Sequence, residues 1–122
     1  MALSVSTQVN PIATRLVLQT SATAASNNDV IGAPCTLYTV DADNTANGSA
    51  CYVKAYNNAS PTVGTTNPDV VCLVPAGERR QYVIPEGVSF TVALSFACVT
   101  MGGSPGTVSP TLPVIVRILA AI

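Results

Sequence analysis

"VSFTVALSFAC", residues 88–98, is the stretch whose period decides the fold class. Val88, Phe90, Val92, Leu94, Phe96 and Cys98 fall on one set of alternate positions, and Ser89, Thr91, Ala93, Ser95 and Ala97 on the other. A repeat of two is the side-chain period of a β-strand, and helical spacing is absent. The pattern predicts one long strand with a core face. Its second face is small and weakly polar, so it can lie against another chain or layer without desolvating charge.

Working outward, strand-like runs occur at Thr14–Thr20, Cys35–Val40, Ala50–Tyr56, Val70–Val74, Arg79–Ile84 and Leu112–Leu119. Between them lie "ASNNDVIGAP", "DADNTANGS", "NNASPTVGTTNP" and "MGGSPGTVSPT", all dense in turn residues. Seven or eight short strands so punctuated predict an all-β antiparallel sandwich in a single domain, residues 1–122. Residues 1–30 are read as a possible extra strand or N-terminal arm reaching a neighbour. In Asn58–Pro68, Pro61 and Pro68 stiffen the chain and Gly64 permits a sharp reversal, which predicts a shaped loop. "VPAGERRQYVIPEG" sets turns at Pro75–Gly77 and Pro85–Gly87, leaving room only for a short strand, so an edge position is expected.

A chain of 122 residues buries roughly two thirds of its unfolded surface, which suffices for one core. Charged residues are only 9% of the chain and hydrophobic ones 48%, so part of the surface is expected to be covered by something other than water. A formal charge of −1 attracts neither a nucleic-acid backbone nor an anionic membrane. The most apolar stretch, "LPVIVRILAAI", is shorter than the roughly 20 residues a spanning helix needs and is interrupted by Arg117. Residues 1–11 have no basic start and no apolar run of about seven residues, so synthesis in the cytoplasm is expected.

Cys35, Cys51, Cys72 and Cys98 are widely spaced, and the chain has no histidine, so no zinc-site spacing exists. They are expected to be buried thiols. General acid–base work also lacks its usual residue, and no Cys, Ser or Thr has an evident base beside it; an enzyme, a cofactor or a small-molecule substrate is not expected. Asp41 and Asp43 suggest paired carboxylates or calcium ligands less well than Asx-turns formed by Asp43 and Asn44. Arg79 and Arg80 read as a solvated strand start or as ion-pair partners across an interface, rather than as phosphate ligands. Tyr52, Lys54 and Tyr56 share one face of a strand: either an exposed patch that would suit a glycan, or an outer sheet face or subunit contact.

Four segments carry a resemblance: "YVKAYN" at 52–57, "SPTVGTTNP" at 60–68, "VPAGE" at 74–78 and "PEGVSF" at 85–90. Across about Cys35–Thr100 the chain resembles small tailed-bacteriophage head proteins of the capsid decoration, or cement, type. The resemblance implies a jelly-roll-like sandwich, usually trimeric, on the outer face of an icosahedral shell, with the major capsid protein as partner. The family often carries a glycine where this chain has Val92 and Ala93, and an acidic segment where it has "MGGSPGTVSP", so the resemblance implies no ion-linked role for that loop. Contacts are expected from Ser60, Pro61, Thr62, Val63, Gly64 and Thr65, from Gly102, Gly103, Pro105 and Pro110, and from Arg79 and Arg80. The alternative is a trimeric tail or head-fibre adhesin for host carbohydrate or receptor.

Overall fold

Among the described residues, period-two alternation is realised in eight strands: β1 (Leu3–Thr7), β2 (Arg15–Ala22), β3 (Cys35–Asp43), β4 (Cys51–Asn57), β5 (Val70–Val74), β6 (Arg79–Phe90), β7 (Leu94–Val99) and β8 (Val114–Ala121). The structure is a computed structural model and describes residues 3–7 and 13–122; the rest of the expected arm, residues 1, 2 and 8–12, lies outside the described residues. All pairings are antiparallel. One sheet has the order β1-β2-β8-β3-β6 and the other β5-β4-β7.

The connectivity is nested. β2 pairs with β8, β3 with β6, and β4 with β5. The segment between β2 and β3 completes the series by lying along β7: Asn27 and Phe96 exchange both main-chain hydrogen bonds, Val30 N donates to Leu94 O, and Cys98 N donates to Thr23 O. First pairs with last, second with second-last, and so inward, like one long hairpin rolled up. The β3–β8 and β4–β7 pairings close the roll. This is the jelly-roll arrangement of a double sheet, and β1 is an addition outside it, on the rim of the larger sheet.

The core lies between the sheets. β8 shows the alternation most cleanly: Val114, Val116, Ile118 and Ala120 are buried, while Ile115, Arg117, Leu119 and Ala121 are half-buried. Facing them, β4 contributes Cys51, Val53 and Ala55, and β7 contributes Leu94, Phe96 and Cys98. In β3 the inward positions change phase, from Cys35 and Leu37 to Val40 and Ala42. A register shift between Leu37 and Thr39 makes this possible, since without it one set would face outward.

Two expectations are corrected. Pro85–Gly87 does not end a short strand: β6 continues to Phe90, and residues 84–87 bulge out between the Thr39↔Val83 and Leu37↔Val88 pairs. Gly87 takes φ +74° there, and a Cβ on it would approach Tyr38 Cε1 to 3.0 Å. The edge position of β6 is as expected. "VSFTVALSFAC", in turn, is not one strand. Val88–Phe90 closes β6 in the large sheet, Leu94–Val99 forms β7 in the small one, and Val92 between them is 60% exposed. The switch of sheets is held by Asn57, whose Oδ1 accepts from Val92 N (2.8 Å) and Ala93 N (3.3 Å) and whose Nδ2 donates to Thr91 Oγ1 (3.1 Å).

Gly87→Ala should therefore lower the unfolding free energy by about 2–3 kcal/mol, combining left-handed strain with a clash. Gly77→Ala, with φ +71° but open space around it, should lose only about 1 kcal/mol. Urea titration of both variants measures the difference. Equal losses would show that the bulge relaxes freely.

Candidate functional site

The outer face of the small sheet is where the expected contact residues converge. All six residues of β7 are buried, including Ser95, Ala97 and Val99, which point away from the core. What covers them is the chain itself. Residues 58–69 leave the end of β4, residues 100–113 leave the opposite end of the sheet after β7, and the two loops meet across the face. Ser104 Oγ donates to Asn67 Oδ1 (2.7 Å), and Gly64, at φ +95°, stands against Thr107 and 3.6 Å, measured from an added Cβ, from Pro105 O.

Each loop is also tied to the sheets. Ser95 Oγ donates to Asn58 O (2.6 Å), and Ser60 N donates to Asn58 Oδ1 (2.7 Å). Thr65 N and Thr66 N both donate to Thr62 O, and Asp69 N donates to Ala55 O. In the second loop Thr100 N donates to Val108 O (2.9 Å), and Ala24 N donates to Ser109 Oγ (3.0 Å). Asn47 clamps its far end, accepting from Leu112 N (2.7 Å) and donating to Leu112 O (3.0 Å). Pro110 lines a hollow of about 320 Å³ with Asn47, Ser49, Thr100 and Val108.

Under this layer lies Lys54, 0% exposed, whose Nζ donates to Gly103 O at 2.6 Å. Burial lowers its pKa, because taking an ammonium out of water disfavours the charged form. Tyr56 beside it is buried and its phenol is pushed up by the same desolvation. Gly102 packs on the half-buried Tyr52 so closely that a Cβ would stand 2.9 Å from Cε2. The Tyr52–Lys54–Tyr56 strip thus shares one face, as expected, but it is a covered face and not an exposed patch.

Of the expected contact residues, Ser60, Thr62, Thr65, Gly103 and Pro105 are exposed, and Val63, Gly64, Gly102 and Pro110 are half-buried. Pro61 is buried. No ionisable side chain occurs in residues 58–68 or 100–113. Arg79 and Arg80 stand apart, on the rim strand of the other sheet. Arg79 makes a bidentate pair with Asp41 (Nε to Oδ1 3.0 Å, Nη2 to Oδ2 2.8 Å), and Arg80 bonds Glu78. Ion pairs form, but within one chain rather than across an interface as expected. Asp43 forms the expected Asx-turn, accepting from Thr45 N and Oγ1; the hydroxyl bond, first of all, holds its carboxyl below the usual range. Asn44 does not. It is buried and donates Nδ2 towards Ser49 O, Val74 O and Pro75 O.

The four cysteines are buried free thiols. Burial pushes Cys72 up to about 11, and Cys98 is pushed up by its hydrogen bond with Cys51. Among the described residues no group of three or more His, Cys, Asp or Glu side chains converges, and no helix is long and apolar enough to cross a membrane. In comparisons with known proteins, no family model, no curated protein and no solved structure matches the chain.

A lysine with a depressed folded-state pKa makes the protein bind fewer protons than its unfolded chain between that pKa and 10.5, so its contribution to stability rises with pH over that window. Lys54→Met removes the buried charge while Gly103 O keeps its bond from Gly106 N. The variant should fold with stability at neutral pH unchanged or raised by about 1 kcal/mol. The gap to wild type should narrow as pH approaches 10.5. That gap is the quantity to follow by denaturant titration, because Cys72 loses stability over the alkaline range in both proteins.

Proposed function

We propose that this is a structural shell protein: a decoration, or cement, protein that binds the outer face of a bacteriophage head as a homotrimer and strengthens it. One observation carries the reading, namely the two interlocked loops over the small sheet. They present Ser60, Thr62, Thr65, Gly103, Pro105 and Thr107 on a surface without charge. Both loops are already ordered by hydrogen bonds to the sheets, so docking costs little further ordering entropy. An uncharged surface whose loops are held by hydrogen bonds suits adhesion to the large surface of another protein, the major capsid protein, better than it suits catalysis.

The covered Tyr52–Lys54–Tyr56 strip removes the aromatic platform on which an adhesin would stack a sugar, and so favours cement over the carbohydrate-binding alternative. In this reading each copy bridges neighbouring shell subunits. A trimer gripping three points gains from effective concentration, so weak individual contacts suffice and the shell opens only after they break.

The experiment loads stripped particles with wild type and with the triple variant Thr62→Lys, Thr65→Lys, Pro105→Lys, whose altered side chains are all exposed. The variant should remain folded and trimeric by light scattering, and its occupancy on particles should fall at least about tenfold, a loss of about 1.4 kcal/mol. Decorated particles should release DNA at a higher temperature than stripped ones. Equal release temperatures would end the cement reading, and a wild-type monomer at micromolar concentration would end the trimer.

A further inference from the structure

The jelly roll accounts for every strand except β1. The large sheet has four rolled strands, β2, β8, β3 and β6; the small sheet has β5, β4, β7 and, along β7, the segment from Thr23 to Val30. Four stand over four. β1 overhangs this stack, pairing only with β2 from Leu3↔Gln19 to Thr7↔Arg15. Val5 lies opposite Val17, whose side chain is in the core, and Leu3 opposite the buried Gln19, so both point towards the side where the opposing sheet has ended. They are 42% and 36% exposed, and all five residues of β1 are exposed. Apart from the partial cover of Leu3 and Val5, ladder bonds hold this five-residue strand, and such pairing is marginal in water.

We propose that β1 is an exchanged strand: in the assembled protein it pairs with β2 of a neighbouring copy, which returns the same contact to the next copy around a closed ring. This rests on the homo-oligomer reading above. The rim of β2 is identical in every copy, so the ladder lost in one is regained in another with the same register and no new interface chemistry. Residues 8–14 separate the two strands. They exceed the two to five residues of ordinary hairpin loops and reach roughly 25 Å when extended, enough to pass between adjacent sandwiches. A donor held on so short a tether must stand beside the overhang, where its own body covers Leu3 and Val5 and removes their exposure.

Two double variants of the full chain test this, Ser4→Cys with Leu18→Cys and Ser6→Cys with Leu16→Cys; both pairs are directly opposite in the ladder. The native thiols are buried and do not compete under native conditions. After mild oxidation and denaturing, non-reducing electrophoresis, exchange predicts covalent oligomers up to the full ring from at least one pair. An internally linked single chain from a protein that is oligomeric by light scattering would overturn the exchange while leaving the oligomer standing. A linked single chain that is also monomeric would overturn both. Failure of both pairs to link in any form would show that β1 does not occupy the β2 rim, and would overturn the exchange as well. A further check needs no cysteine: Val5→Pro, which breaks the ladder but leaves the core untouched, should keep the β-sheet signature and shift the protein to monomer.

Discussion

Wherever the chain leaves one sheet for another, main-chain N–H and C=O groups lose their ladder partners, and in a protein with so little charge uncharged side-chain amides take them. Buried backbone groups left unpaired would each be costly. Asn57 holds the passage from β6 to β7 by accepting from two consecutive amides. Asn44 gathers three carbonyls from the β4 approach and the β5 end. Asn47 is anchored to Asn44 Oδ1 (2.9 Å) and clamps Leu112 through both its donor and its acceptor. An amide suits this work because it carries both functions on one small neutral group. These clamps add to the inward-facing pattern of the strands in fixing where the chain passes from one sheet to the other.

The second organising feature is that the small sheet is covered twice, by the core on one side and by two loops on the other. The loops behave as a third layer rather than as trailing connections. Lys54 marks how complete the cover is, since a lysine is almost never fully buried unless its ammonium is bonded. Its single strong acceptor, Gly103 O, belongs to the covering layer and not to the sheet. The bond therefore ties the outer layer down from beneath. The exposed surface above it inherits the rigidity of the sandwich, which is what a contact surface made of loops otherwise lacks.

Much of this was legible in residue patterns. The two-residue period identified strands, and the Pro61, Gly64 and Pro68 spacing identified a shaped loop. The small, weakly polar face of Ser95 and Ala97 correctly implied a covering layer. Its source was not legible, because the covering atoms are far away in sequence: Ser95 bonds Asn58 O at a separation of 37 residues, and Lys54 on the same face bonds Gly103 O at 49. "VSFTVALSFAC" misleads for a geometric reason. The two sheets face one core, so a chain crossing between them keeps the same alternate positions inward: Phe90 in one sheet and Leu94 and Phe96 in the other fall in one phase, and the turn at Val92 is hidden in it. Pro85 and Gly87 mislead because proline and glycine punctuate bulges as readily as turns. The asparagines were read as turn formers from composition, whereas Asn44 and Asn47 turn inward, a choice fixed by distant carbonyls. Arg79 and Asp41 showed their charges but not each other, being 38 residues apart.

The bulge at residues 84–87 has a consequence for crowding. The rim of β6 carries Pro85, which has no N–H to offer, a kinked backbone, and two arginines near its start; the neighbouring β5 rim has Leu73 O already taken by the Tyr82 hydroxyl. That side of the molecule is a poor template for a further strand. The β1–β2 side is a good one. A sheet with one blocked rim can be extended from its other side only, which is the side where β1 lies. Edge-to-edge growth into a fibre needs two open rims, so this standing hazard for an apolar β protein is removed by blocking one of them.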